Sequence, residues 1–344
     1  MSLFARKKAA PARAAARTPV PAASPAEPPP PPADYNVGDP VALRLRDALA
    51  VGAWQDAQDF LESVRTWRQR SHYVTVLANI KGRPDWIDQW VAARPDSSIP
   101  VLFSGVHRKN WAWEARGGGR ASTVKEDSWP VFQARLVQAD RELARAAALD
   151  PGDPTPIASS LWVAMGLSLG QAEIRRRFAA ADQREHVNNA ACVAMIQATA
   201  RKWGGSHDAM FEFARWAGRE SPEATPGHKL IALAHIERWL DAPTEERVKY
   251  FLEPRVQAEV RAAADRSVRS PLYPSDATAW QERNVFAFCF SLMHDYSAAL
   301  GQMDLIGSRI TPSPWQYQNG KQPGKAYLAA RQRALQAVSS PRVP

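Results

Sequence analysis

Cysteine is scarce in this chain: Cys192 and Cys289 are the only two among 344 residues. Both lie among alanine, valine or phenylalanine, so we expect reduced, buried thiols with a structural role. The seven histidines form no His-x-x-x-His pair, and the cysteines form no Cys-x-x-Cys pair. Because a zinc site needs such closely spaced ligands, the sequence disfavours metal binding and predicts no cofactor.

Long hydrophobic runs are missing too. The longest candidates, residues 157–170 and 285–293, fall short of the ~20 apolar residues that span a bilayer. The first eight residues are basic, as at the start of a signal peptide, but alanine, proline and arginine follow where the apolar segment should be. The sequence therefore predicts no stable membrane insertion and a cytoplasmic location.

A phosphate-binding loop is also absent, because the glycine run at 117–119 lacks the Gly-Lys-Ser/Thr continuation. We interpret the run as a connector after a helix that ends at Arg116. The sequence therefore favours a non-enzymatic role. An enzyme with an unrecognised site near residues 107–120 and 202–207 remains an alternative, since catalytic residues distant in sequence can meet in space.

Residues 1–36 differ in composition from the rest of the chain. They hold nine prolines and eleven alanines, with five consecutive prolines at 28–32. Proline removes hydrogen-bond donors, and the segment has almost no apolar side chains to bury. We predict a disordered basic tail here and interpret it as a spacer; a tether or a ligand for a proline-recognising domain is the alternative. One helical-repeat body is predicted over 37–344, with a candidate soft boundary near 241–244.

The positive charge is spread along the chain. The formal net charge is +9, of which +3 falls in residues 1–36. A nucleic-acid binder usually concentrates such charge on one stripe. The three arginines at 175–177 point around most of a helix, so we interpret them, like the basic residues at 321–333, as a solvated surface. A basic helical nucleic-acid binder is kept as a second alternative, although the sequence disfavours it.

Beyond the tail, apolar residues recur at spacings of three and four, and strand signals nearly vanish. This pattern predicts an all-α body of modest helices joined by short loops. One long helix that ends at Leu149 carries an apolar stripe, and Thr123 with Glu126 has the spacing of a capping box at its start. Single helices are also predicted over 55–69 and 244–264.

Residues 139–186 contain the clearest internal repeat. A helix ends at an Asp-Pro break, the next helix carries Trp162 and Gly166, and a further helix after a turn carries Phe178 and Ala181. This order resembles the tetratricopeptide helix-turn-helix, in which large and small residues pack two antiparallel helices. The sequence therefore predicts a tetratricopeptide-like α-solenoid, with an irregular helical bundle as the alternative.

Three segments carry a more particular resemblance: Trp-Ala-Trp-Glu-Ala-Arg and glycines at 111–119, Leu-Asp-Pro at 149–151, and Lys-Trp-Gly-Gly-Ser-His at 202–207. Over residues 40–240 or so, the chain resembles an uncharacterised bacterial domain-of-unknown-function family with a tetratricopeptide-like helical body. The Lys-Trp-Gly-Gly-Ser turn is the most specific signature. In it, Gly204 or Gly205 is predicted to supply a left-handed helix end, and Ser206 is predicted to cap the next helix. The resemblance implies a helical fold and no activity, so it assigns no catalytic residue.

Tryptophan is unusually frequent: the chain has 13, against seven tyrosines and 11 phenylalanines. Most should lock helices together in the core. Exceptions are expected where tryptophans lie beside basic residues and glycine-rich turns. The predicted partner-binding cluster comprises Trp111, Trp113, Arg116, Arg120, Lys202 and Trp203. Since residues two apart lie about 200° around a helix, Trp111 and Trp113 should not both face the core.

The favoured function is a protein–protein interaction scaffold or adaptor, whose partner the sequence does not identify. An α-solenoid presents an extended concave surface and needs no catalytic group to bind. The three classes differ in what a structure should show. A scaffold should have a groove lined by aromatic and arginine side chains, an enzyme a closed pocket with converging histidines and carboxylates, and a nucleic-acid binder a continuous basic stripe.

Overall fold

The computed structural model describes residues 30–117 and 123–339. Within these ranges the chain is all-α and has no β-strand, which confirms the predicted fold class. Its α-helices are α1 (Pro40–Ala50), α2 (Gln55–Ser63), α3 (Trp67–Leu77), α4 (Trp86–Ala93), α5 (Ser98–Arg116), α6 (Ser128–Leu149), α7 (Thr155–Gly166), α8 (Gln171–Asp182), α9 (Asn189–Thr199), α10 (His207–Glu220), α11 (Lys229–Asp241), α12 (Thr244–Tyr250), α13 (Pro254–Asp265), α14 (Trp280–Leu292), α15 (Tyr296–Ile306), α16 (Pro312–Trp315) and α17 (Pro323–Ser339). None of these helices has the length and the apolar character needed to cross a bilayer.

The apolar core consists of three clusters that follow one another along the chain. They join residues within 45–163, 158–198 and 192–330. Helices pack mainly against the next one or two in sequence, as α5 does with α6 and α14 with α15. Such sequential packing is what a repeat array requires, although the tetratricopeptide-like solenoid itself stays a prediction. The third cluster runs across residues 241–244, where a soft boundary was predicted.

Two predicted helices are each divided in two. The segment 55–69 forms α2 and the start of α3, because the backbone is extended at Val64 and the Thr66 side chain caps a new helix. The segment 244–264 breaks after α12, and Pro254 starts α13. Proline fits this first turn because no backbone donor is needed there. Both predictions of a single helix were therefore wrong.

The long helix α6 keeps most of its predicted features. Its apolar stripe is buried from Phe132 to Ala146, whereas Leu149 is exposed. The helix begins at Ser128, so the capping box predicted at Thr123 does not start it. Gly166 of α7 lets the two helices approach closely, because a Cβ there would collide with side chains of α6. The predicted helix-turn-helix within 139–186 is formed by α7 and α8.

Both cysteines are placed as predicted. Cys192 and Cys289 are fully buried and form no disulfide. Burial raises the pKa of both thiols, because a thiolate would lose its hydration there. Buried, protonated thiols are unreactive, so their role is packing.

The start of the described chain lies against the segment between α15 and α16. The Asp34 N–H donates to the Ile310 carbonyl at 2.9 Å, and Ala33 packs on the third apolar cluster. Residues 30–36 therefore lie against the body, so contacts with the body begin before the predicted boundary at residue 37. The rest of the predicted tail, residues 1–29, lies outside the described ranges.

Alternate helices surround a common centre. α3 packs on α7 and α9 as well as on α5, and its His72 lies near enough to Glu282 of α14 to sense the carboxylate charge. The wall around the centre comes from α3, α5, α7, α9, α11 and α14, while the helices between them lie largely outside. This arrangement turns one face of each inner helix toward the same space.

Candidate binding cavity

The inner helices enclose a cavity of about 1430 Å³. Residues 201–207 and 311–317 complete its wall. Lining side chains such as Thr75, Asn79 and Gln281 are exposed, so solvent reaches the cavity. The volume exceeds the roughly 300–1,000 Å³ of ordinary small-molecule sites, which leaves room for a larger occupant.

α5 turns one face toward this cavity. Lys109, Trp113 and Arg116 follow one another at one-turn spacing along that face. α6 packs along this helix: Gly105, one turn before Lys109, lies against the Leu143 side chain, and Trp113 also contacts Phe132. α5 ends at Arg116, as predicted. The side chains that line the cavity are therefore held on a helix that is fixed by packing along α6.

Arg116 lies among three tryptophans. Its guanidinium carbon is 5.5 Å from the ring centre of Trp113 and 5.6 Å from those of Trp129 and Trp203. The rings of Trp113 and Trp203 meet edge to face at 5.6 Å. Since a cation–π contact contributes about 0.5–2 kcal/mol, this cluster ties the end of α5 to the turn before α10.

The Lys-Trp-Gly-Gly-Ser turn has the predicted local structure. Gly204 adopts the left-handed conformation with φ of 82°, and the Ser206 hydroxyl caps α10 by accepting from the Ala209 N–H at 3.1 Å. Gly205 is required because a Cβ there would collide with the carbonyl of Thr199. The two glycines have different roles: one supplies the backbone conformation and the other permits close approach.

The residues before these glycines are held in place from both sides. The Lys202 ammonium donates to the Glu237 carboxylate at 2.7 Å, and the Gln197 amide donates to the other carboxylate oxygen at 2.6 Å. The Trp203 carbonyl accepts from the Gln171 amide at 3.3 Å. Lys202 and Trp203 thus form a fixed part of the cavity wall.

The structure brings most of the predicted partner-binding cluster together. The members that line the cavity are Trp113, Arg116, Lys202 and Trp203. Trp111 is not among them, because it faces α6, where the Arg135 guanidinium lies 3.3 Å from its ring centre. This separation from Trp113 agrees with the predicted angle around the helix. Arg120 lies outside the described residues.

Lys109 belongs to the same wall, although no prediction included it. It is 8% exposed, and no described residue forms a hydrogen bond or an ion pair with its ammonium. Burial lowers the pKa of Lys109 to about 8, because desolvation disfavours the charged form. In the sequence Lys109 lies in a polar run, residues 107–110, one turn before Trp113, and nothing in that run shows that the lysine is buried.

The two other lysines of the wall have acidic partners. Lys202 is paired with Glu237, and the Lys229 ammonium lies 2.6 Å from a Glu282 oxygen. The second pair is almost completely buried, at 3% and 2% side-chain exposure. Lys109 is therefore the lysine of the described wall without a counter-charge.

α3 contributes further polar atoms that lack hydrogen-bond partners. Nε and Nη2 of Arg68 and Nε2 of His72 are buried and have no hydrogen-bond partner among the described residues. Both side chains line the cavity. Burial lowers the pKa of His72 despite the nearby Glu282 carboxylate, so the imidazole is neutral at pH 7.

The histidines and carboxylates of the wall do not complete a nucleophile–base arrangement. His207 Nε2 lies 3.1 Å from Asp241 Oδ2, but no described serine, threonine or cysteine side chain bonds to this ring. Among the described residues, no three His, Cys, Asp or Glu side chains are placed to share a metal ion. The alternative of an enzyme thus gains no support from this cavity.

One hydrolase-like spacing occurs between α7 and α8, where residues 166–170 read Gly-x-Ser-x-Gly. A nucleophile elbow joins a strand to a helix, whereas this segment joins two helices. Ser168 has φ of 55°, and the Leu169 N–H donates to the Ala164 carbonyl at 3.0 Å. This is the hydrogen bond of a Schellman motif, and no described histidine bonds to Ser168. The spacing therefore marks a helix end.

The basic segments outside the cavity carry acidic neighbours. Arg177 bonds to Asp140 and Glu173, and Arg331 lies 3.0 Å from Asp304. These carboxylates offset the positive charge that a phosphate backbone would need. Among the described residues no ion pair is formed by Arg175, Lys321, Lys325 or Arg333, so the interpretation of both segments as a solvated surface stays a prediction.

Comparison with protein-family models, with curated proteins and with solved structures finds no match to this chain. The resemblance to an uncharacterised bacterial family therefore stays a prediction, and the properties of the cavity rest on its own geometry.

Proposed function

We propose that this chain is a helical-repeat interaction protein that binds a segment of a partner protein in its central cavity. The observation that carries the proposal is the cavity itself, which alternate helices of a sequentially packed array enclose. Concave surfaces built in this way are the usual binding surfaces of solenoid proteins. The tetratricopeptide-like architecture, the family resemblance and the cytoplasmic location belong to the same proposal.

The lining supports a protein occupant. Trp113, Trp162 and Trp203 line the wall together with Arg116. Tryptophan and arginine are the side chains that most often anchor protein interfaces, because they combine large contact area with directional polar groups. These side chains are positioned by packing, so a partner would meet a surface that is already formed.

A pair of matched glutamine variants tests the proposal. Gln281 is exposed on the cavity wall, and Gln138 is exposed on α6 outside it. We expect Gln281→Trp to block the cavity and to abolish capture of partner proteins from a native lysate. Gln138→Trp should capture the same proteins as the wild type. Thermal unfolding of both variants checks that the fold is retained.

Equal capture by both glutamine variants would contradict the proposal, since it would place the interaction on another surface. Loss of capture in both would point to a general effect of added tryptophan, and the cavity would again lose its role.

A further inference from the structure

The charge of Lys109 is the feature of the cavity that packing does not explain. The side chain lies on a helix that packs along α6, and more than nine tenths of it is buried. A buried ammonium is normally paired, because loss of hydration is costly unless a carboxylate or several acceptors replace the water. No described residue supplies such a group to Lys109.

The neighbouring wall adds positive character. Arg68 on α3, the helix packed beside α5, has two buried guanidinium nitrogens without a partner. Glu282 of α14 is close enough to act on the His72 charge; one of its oxygens is bound to Lys229, and the other is buried without a hydrogen-bond partner among the described residues. The α3 and α5 sides of the cavity therefore hold cationic donors in excess of acceptors.

We propose that the α5 side of the cavity is an anion subsite, in which the Lys109 ammonium binds a carboxylate or phosphate group of the ligand. This inference rests on the proposed role of the cavity as a binding site. A bound anion would supply the counter-charge that the fold leaves out, and a ligand that displaces water from the cavity would strengthen the contact. Trp113, one turn further along α5, would then pack against the remainder of the ligand.

Inorganic phosphate and succinate serve as probes, with succinamide as the uncharged counterpart of succinate. Each is titrated against the full chain at constant ionic strength, and the dissociation constant follows from the rise in the thermal unfolding midpoint. We expect stabilisation by phosphate or succinate and none by succinamide. Stabilisation by phosphate but not by succinate would assign the subsite to phosphate groups. Stabilisation by succinate but not by phosphate would assign it to carboxylates.

Lys109→Met should weaken anion binding about 10- to 100-fold, as expected for loss of a charged hydrogen bond, whereas Lys109→Arg should retain it. Lys202→Met is the matched control, because Lys202 lines the same cavity but is bound to Glu237. We expect the affinity of the Lys202→Met variant for the probes to stay within about threefold of the wild-type affinity. Lys109→Gln replaces Lys109→Met if the latter does not fold.

Equal stabilisation of the wild type and Lys109→Met, or no stabilisation of the wild type by either anion, would overturn the subsite. That failure is distinct from failure of the proposed function. Loss of partner capture in Gln281→Trp without anion binding would leave the interaction cavity standing and remove only the subsite. Anion binding by the wild type, together with unchanged partner capture by Gln281→Trp, would keep the subsite and remove the proposed interaction cavity.

Discussion

Single residues decide how the cavity wall is charged, and Lys109 has the largest expected effect. Its pKa in the fold is about 8, below the ordinary 10.5. Below pH 8 the penalty for burying the charge is fully present. Between pH 8 and 10.5 the unfolded chain holds a proton that the folded chain has lost, so this penalty fades as pH rises.

Lys109→Met should therefore stabilise the protein at pH 7, by about 3 kcal/mol, in a buffer free of phosphate and carboxylate. The advantage should shrink toward pH 10.5. Urea unfolding of both proteins at pH 7, 9 and 10.5 measures the difference. The matched control is Lys229→Met, which leaves Glu282 buried without its partner and should destabilise by about 3–5 kcal/mol. A variant no more stable than wild type at pH 7 would show that the Lys109 charge is already compensated.

Trp203 is a second residue whose two roles can be separated. It is half-buried and contacts Trp113 and Arg116. We expect Trp203→Ala to lower the free energy of unfolding by about 2 kcal/mol or more, somewhat below the 3–5 kcal/mol of a fully buried aromatic. Trp203→Phe should restore much of the loss, because a ring remains against Trp113. Unchanged denaturant stability of Trp203→Ala, with loss of partner capture, would instead make Trp203 a binding residue.

Turns between helices decide which groups reach the cavity, and the turn before α10 depends most on glycine. Gly205→Ala should destabilise by at least about 2 kcal/mol, because the added Cβ meets the backbone of Thr199 and not a movable side chain. Gly301→Ala is the control: this glycine lies within α15 with free space around it, so alanine should stabilise by about 0.5–1 kcal/mol. Equal stabilities of the two variants, measured by urea unfolding, would mean that the turn can rearrange.

Local rules were reliable for helix interiors and less so for helix ends. The stripe from Phe132 to Ala146 follows from periodicity alone, and Ser206 caps α10 as its spacing predicts. The breaks before Thr66 and at Pro254 were missed. In both cases the apolar spacing continues across the break, so periodicity does not show that the chain direction changes.

At the scale of the whole molecule, residues at the start of the described chain pack on its C-terminal half. Deletion of residues 1–29 should leave the unfolding midpoint unchanged, because their composition offers no apolar face. Deletion of residues 1–36 should lower it by a few degrees, since it removes the Asp34–Ile310 hydrogen bond and the packing of Ala33. Thermal unfolding followed by circular dichroism compares the two. Identical midpoints would show that residues 30–36 contribute nothing to stability.

The sequence by itself determined the helical class, the buried cysteines and the local structure of the Lys-Trp-Gly-Gly-Ser turn. These depend on hydrophobic burial and on contacts within about four residues, which spacing records directly. Within the predicted cluster it also separated Trp111 from Trp113, because the angle around a helix is fixed.

Only the tertiary structure decided which of these residues share a site. It joined the end of α5 to the turn before α10, placed Trp113 against Trp203, and left Lys109 without a counter-charge inside a common cavity. Such relations link residues far apart in the chain, and they depend on how every inner helix is oriented. The sequence does not show whether a lysine has a counter-charge, because the residues around its ammonium are set only when the helices pack around the centre.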